Sequence, residues 1–191
     1  MSNKELNDLS ASTPSPLERA GERPFPFIIG ITGGSGSGKS SFARDLKAQF
    51  SDDEMTVLCE DNYYLPKDKV PVDANGWQNY DTPAAFDHAL YITHVRNLKL
   101  GQPILKEEYT YYNPGVTPAV ITMAPTPLIV VEGIFSLHPS EMQKLVDLKL
   151  YIDADLEARL TRRLARDAVE RGLDRTDVEY RWNNHILPGF E

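Results

Sequence analysis

The sequence predicts an α/β fold of three layers, with a parallel core sheet covered by helices on both faces. Three observations carry this prediction: short apolar runs that are continuous rather than alternating, helical stretches interleaved between them, and a glycine-rich turn joining the first run to the first helix. Strands buried on both faces read as unbroken apolar runs because neither side meets water, and parallel neighbours need a crossover of helix length between them.

Taken in order, residues 1–24 hold Ser, Asn, Pro, Thr and mixed charges without an apolar period. They bury too little surface to offset the entropy of ordering, and read as a flexible tail before a single domain at 25–191. FIIGIT (Phe27–Thr32) is the first strand, GGSGSGKS follows at once, and SFARDLKAQF (Ser41–Phe50) reads as a helix. MTVLC (Met55–Cys59), LIVVE (Leu128–Glu132) and LKLYI (Leu148–Ile152) supply further strands. Thr82 before Pro83 reads as an N-cap and first helical residue, with Gly101 as the stop of that segment. Asp153 is placed to cap an arginine-rich helix running to Gly172, and Thr176 with Glu179 has capping-box spacing for a last segment that stops near Pro188. Between Gly101 and Pro125, β-forming residues flank an Asn-Pro-Gly turn, which predicts a hairpin outside the parallel sheet, serving as a lid or substrate wall.

Composition narrows the function classes. A length of 191 residues with 41% hydrophobic content suits one compact domain. The net charge of -8 opposes binding to a nucleic-acid backbone or an anionic membrane, so the expected partner is a small molecule, with neither nucleic acid nor membrane involved. Cys59 is the one cysteine, which excludes an internal disulfide and suits a reducing compartment. No apolar run has spanning length and the first stretch lacks a secretory apolar core, so the expected location is cytoplasmic.

Gly33 to Ser40 fit GxxxxGKS between a strand and a helix, the phosphate loop of a P-loop NTPase. Small residues at Gly33, Gly34, Ser35, Gly36, Ser37 and Gly38 let backbone N–H groups wrap a phosphate, Lys39 reaches the β- and γ-phosphates, and Ser40 ligates Mg²⁺. Ser41 completes the ATP-binding set. The loop alone does not choose between GTPase, motor and kinase. No NKxD guanine motif exists, and DANG at Asp73–Gly76 lies in a polar stretch after no strand, so a GTPase is disfavoured. Asp61 and Glu132 stand at the carboxyl ends of the second and third strands, where open α/β sheets hold their ligands. An aspartate there can orient and deprotonate a hydroxyl, and a carboxylate beside the loop can serve a metal. Arg159, Arg162, Arg163 and Arg166 recur at helical spacing with Arg171 beyond. Such a helix can be a solvated face paired with its acidic residues, a lid delivering guanidinium groups to the γ-phosphate, or both on different faces.

From Phe27 onward the residues resemble the uridine-cytidine kinase family, in several ordered motifs: GITGGSGSGKSSFA, EDNYY, NYDTPAAFD, IVVEGIFSL and RRLARDAVERG. The resemblance implies a three-layer P-loop kinase with a hairpin insertion and an arginine-bearing lid helix, transferring phosphate from ATP to a nucleoside 5′-hydroxyl, with uridine or cytidine leading. It implies Asp61 as base, Lys39, Arg166 and Arg171 acting on the phosphates, and Ser40, Asp61 and Glu132 around Mg²⁺. Asp81, Tyr109, Arg163, Tyr64 and Arg181 become the substrate-binding set, with Tyr109 eight residues after Gly101 at the family's spacing. The family's oligomers suggest a homo-oligomer. Three positions depart from the pattern: Pro114 stands where the family has a base-reading histidine, Leu173 where it has an arginine, and Arg181 where it has a glutamine. The family's pattern also continues with a strand and helix beyond the segment that ends here at Glu191. Another hydroxyl acceptor (a sugar phosphate, pantothenate or nicotinamide riboside) and a regulator without turnover stay open on these residues. None of the four histidines is assigned to the site.

Overall fold

The computed structural model describes residues 26–111 and 115–189; the tail at 1–24 and Pro114 lie outside them. Strands β1 (Phe27–Thr32), β2 (Met55–Cys59), β5 (Leu128–Glu132) and β6 (Leu148–Tyr151) form one parallel sheet in the order β2-β5-β1-β6. Strand β5 is central and all five of its residues are buried, which is why it reads as an unbroken apolar run. On one face, helix α2 (His88–Lys99) and the short helix α3 (Ser140–Leu145) pack Tyr91, Val95, Leu98 and Met142 against Ile28, Leu58, Ile129 and Val131. On the other, helix α1 (Lys39–Lys47) sets Ala43 against Ile31, Met55, Leu128 and Val130. Strands β3 (Ile104–Glu107) and β4 (Val120–Met123) form the expected hairpin as a separate antiparallel pair. The pair Ile104 and Met123 roots it in the first core, and Tyr109 N donates to Asn62 Oδ1 at 2.9 Å, tying the hairpin to the end of β2.

Helix starts depart from the sequence expectation. Pro83–Ala85 is one 3-10 turn and Thr82 makes no side-chain cap; α2 begins at His88, with Asp87 Oδ1 accepting from Leu90 N at 2.9 Å. The reason is tertiary: Phe86 is extended and bridges Tyr64, with Leu65 N donating to Ala85 O and Asp87 N to Tyr63 O. The arginine-rich helix α4 (Leu156–Glu170) starts after Asp155, while Asp153 accepts from the adjacent Ala154 N. Helix α5 (Arg175–Arg181) is capped by Asp174, whose carboxylate accepts from Asp177 N; Thr176 lies inside the helix and Glu179 pairs with Arg175 at 2.6 Å. A π turn, Trp182–Ile186, continues α5. Helix α3, six residues long, had no sequence expectation.

The DANG segment is a polar loop, as expected. Asp73 Oδ1 accepts from Asn75 N and Trp77 N, while Oδ2 accepts from Tyr180 OH at 2.6 Å and His185 Nε2 at 2.8 Å. This pins the loop to α5 and its π turn. The Tyr180 hydroxyl, His185 and the two backbone donors hold the Asp73 carboxyl well below the ordinary range against a partial desolvation that opposes them. A depressed folded pKa contributes stability that is present above the unfolded value and lost as pH falls through the folded one. Asp73→Asn is therefore expected to flatten the acid-side fall of melting temperature below about pH 4. Parallel wild-type and variant curves across that range would remove Asp73 from the acid response.

Candidate active site

The parallel register sets Ile31 beside Glu132 and Glu132 beside Cys59, so three strands end together. The loop at 33–38, Glu132 and the Glu60–Asp61 turn consequently meet at one sheet edge, where α/β ligands bind. Gly36 has φ 78°, and a Cβ there would stand 2.5 Å from the Arg159 carbonyl oxygen. A Cβ on Gly34 would run into the Arg159 guanidinium. The loop is glycine-rich at these positions because α4 closes on it.

That closure uses donors on the helix and acceptors on the loop. Arg159 Nε donates to Ser35 O at 3.0 Å, and Arg162 reaches Gly36 O and Ser37 O, each at 3.3 Å. Arg163 donates to Ser35 Oγ at 2.6 Å. Ser37 N donates within the loop to Gly34 O at 3.0 Å, and with loop carbonyls engaged by α4 the other N–H groups of the loop are available to an anion. Of the expected phosphate-binding residues, Ser35, Gly36, Lys39 and Ser40 line one small cavity; Ser41 is exposed and lines none. Lys39 is 7% exposed, its Nζ donating to Gly34 O at 3.1 Å, and burial lowers its pKa while Glu132 and Asp61 counteract. A desolvated ammonium held by a carbonyl fits an arriving phosphate. Ser40 Oγ donates to Glu132 Oε1 at 3.2 Å, and burial pushes the Glu132 carboxyl up.

Asp61 lines the same cavity. Behind it, Glu60 is fully buried, accepting from Phe135 N at 2.8 Å and His88 Nε2 at 2.9 Å, and its side chain fills the place a Gly133 Cβ would take. Glu60 and Gly133 thus lock the ends of β2 and β5 together. Neither Glu60 nor His88 was singled out from sequence, because a carboxylate beside Asp61 carries no signal of which one turns inward.

A second cavity of about 640 Å³ adjoins the first and shares Tyr64, Tyr80, Asp81, Arg163 and Arg171 with it. Tyr109 and Arg181 also line it, as does Leu173. Tyr64 stacks on Phe86 with centroids 4.2 Å apart and touches Tyr109 at 4.9 Å, giving an aromatic wall. Asp81 is 4% exposed and Arg163 bonds both its oxygens, at 3.2 and 3.4 Å. Arg181 donates to Gln78 O and lies over the Trp77 ring. Three arginines at the lid share one buried anchor: Asp167 pairs with Arg163 at 3.1 Å, Arg166 at 2.9 Å and Arg171 at 3.3 Å. Of the expected residues, Gly33, Gly34, Ser37, Gly38 and Ser41 line neither cavity, and the others line one or both.

Tyr111 is a residue the sequence reading missed. Its hydroxyl donates to Asp61 Oδ2 at 3.1 Å and its ring lies 4.5 Å from the Arg171 guanidinium, in a backbone conformation with φ 53°. The alternation Tyr109, Tyr111 was available as a hint of two rings on one side of a strand; the left-handed backbone was not.

A phosphate loop beside a second cavity of this size, in which phosphates can be presented to a separately bound small molecule, is the working arrangement of a P-loop kinase. Sequence comparison reaches the same class. The model of the phosphoribulokinase/uridine kinase family matches residues 28–191, and the chain belongs to that family. A uridine kinase of Brevibacillus brevis is 35% identical over 163 residues, 85% of this chain and 76% of the relative. One of Geobacillus kaustophilus is 42% identical over 147 residues, 77% and 70% of the two chains. Among solved structures, a putative fructose transport system kinase from Silicibacter sp. TM1040 superposes with TM-score 0.68 at 18% identity, covering 88% of this chain and 84% of that one. A possible uridine kinase from Bacillus stearothermophilus gives 0.57 at 17%, covering 87% and 86%. At these identities the two structures speak for the fold.

Among the described residues no three carboxylate, imidazole or thiol groups cluster to hold a metal alone. Two carboxylates and a hydroxyl suit an ion that arrives with nucleotide phosphates, as Mg²⁺ does. Gly36→Ala is expected to weaken nucleotide binding tenfold or more, from about 1–3 kcal/mol of backbone strain plus the Arg159 collision. Gly76→Ala makes the comparison, since Gly76 has φ 82° with nothing within 4 Å of its Cβ position. Equal nucleotide affinity in both variants would contradict the clamp.

Proposed function

We propose that this chain transfers the γ-phosphoryl group of ATP to the 5′-hydroxyl of a nucleoside, uridine or cytidine, with residues 25–191 acting as one kinase domain. One observation carries the mechanism. Asp61 lines the phosphate cavity while its carboxylate accepts a hydrogen bond from Tyr111, which lines the neighbouring cavity, so the carboxylate serves both spaces. The Tyr111 hydroxyl stands where an acceptor hydroxyl would meet the base. The named uridine kinases of the family, 34–42% identical to this chain, support a nucleoside as that acceptor.

In this reading the loop amides and Lys39 hold the β- and γ-phosphates, and Arg166 and Arg171, fixed by Asp167, face the same space. Ser40 and Glu132, with Asp61 directly or through water, would hold Mg²⁺, which when bound neutralises phosphate charge. Asp81 receives ribose hydroxyls, with Tyr64 and Tyr109 flanking the base and Arg163 and Arg181 completing the pocket. Asp61 orients the 5′-hydroxyl for in-line attack and takes its proton, while the aromatic wall excludes water that would otherwise compete.

The test is ADP release from Mg-ATP with uridine, cytidine, purine nucleosides, nicotinamide riboside, pantothenate and ribulose 5-phosphate. Turnover led by uridine or cytidine is expected; preference for another acceptor would make Leu173 and Arg181 determinants of a different substrate, and silence from folded, ATP-binding protein would favour a regulator. Asp61→Ala is expected to keep nucleotide affinity within a few-fold and lower kcat by about 10²–10⁴. Wild-type turnover in that variant would remove Asp61 as the base.

A further inference from the structure

Arg163 lines both cavities and hydrogen-bonds the phosphate loop and Asp81 at once. Its NH1 donates to Ser35 Oγ in the phosphate loop at 2.6 Å and to Asp81 Oδ1 at 3.2 Å, and NH2 reaches Asp81 Oδ2 at 3.4 Å. Its Nε faces Asp167 Oδ2 at 3.1 Å, and the residue is 4% exposed. Ser35 and Asp81 are buried as well, at 5% and 4%. A guanidinium is planar and presents its donors at fixed angles, so it cannot follow one partner without moving against the other. With Asp167 fully buried behind it and no solvent to replace a lost bond, the fork has little slack.

We propose that Arg163 is a positioning residue that couples the two substrates: a ligand fixing Asp81 fixes Ser35 and the phosphate loop, and a nucleotide fixing Ser35 fixes Asp81. Resting on the nucleoside reading above, the inference adds that acceptor and nucleotide bind with positive cooperativity carried by the bridge from Ser35 through Arg163 to Asp81. By linkage each ligand must tighten the other by the same factor.

The experiment is a binding cycle by calorimetry, with a non-hydrolysable Mg-ATP analogue and uridine, each titrated alone and in saturating presence of the other. Wild type is expected to show a coupling factor of about fivefold or more in both directions. Ser35→Ala deletes the bridging oxygen and leaves the loop backbone; its single-ligand affinities can shift, but the factor is expected to fall to about one. Arg163→Lys keeps the charge without the fork and is expected to do the same, which covers the case in which one variant fails to fold. A general loosening of the loop would move the single affinities and leave the factor intact, and that result, or a factor of about one in wild type, would overturn the proposal. If uridine binds neither alone nor with nucleotide, the nucleoside reading falls; the cycle is then run with the acceptor found by ADP release, and a factor unchanged by Ser35→Ala overturns the bridge on its own terms.

Discussion

The site depends on the register of three parallel strands. Because Glu132 is paired with Ile31 on one side and Cys59 on the other, the strand that supplies a carboxylate ends level with the strand that launches the phosphate loop and the strand that leads into Asp61. In a parallel sheet every carboxyl end lies at the same edge, so residues far apart in sequence meet without any loop having to reach. The buried Glu60 carboxylate then holds the ends of β2 and β5 together, through Phe135 N and the space left by Gly133. Burial raises the pKa of Glu60, while its hydrogen bonds to His88 and Phe135 N work in the other direction.

Charge is distributed against the chain's overall sign. A protein of net charge -8 assembles Lys39 and several arginines around one edge, and holds them there with buried carboxylates rather than leaving them to solvent. Asp167 is the clearest case, fully buried and paired with Arg163, Arg166 and Arg171. Removing it would leave three guanidinium groups crowded together, so the anchor belongs to the machinery as much as the groups it aims. The same helix turns Arg159 and Arg162 onto loop carbonyls, which makes α4 both the back wall of the phosphate loop and the source of its cations.

How much of this was legible depended on whether the signal was local. The strands β1, β2 and β5 were readable to the residue, since a continuous apolar run ending in Thr32, Cys59 or Glu132 has one physical interpretation in a covered sheet. The phosphate loop was legible because its mechanics require glycines and a Lys-Ser pair at fixed spacing. The start of α2 was not, because Thr82-Pro83 is a sound local signal that a distant partner overrides: Tyr64 bridges Phe86 and keeps it extended. The arginine spacing on α4 showed a face without showing its target, since bonds to backbone carbonyls leave no partner side chain to find in the sequence. Tyr111 was hidden for a related reason, its position over Asp61 being set by a left-handed backbone that tyrosine seldom adopts.

The central claim is that this edge delivers a phosphoryl group to one hydroxyl of a nucleoside. Incubating the chain with Mg-ATP and uridine and locating phosphorus on the product by ³¹P–¹H correlation NMR addresses it most directly. The account predicts coupling of phosphorus to the two 5′ protons and to no other ribose position. Phosphate on the 2′- or 3′-oxygen, or free phosphate released without any nucleotide product, would contradict it.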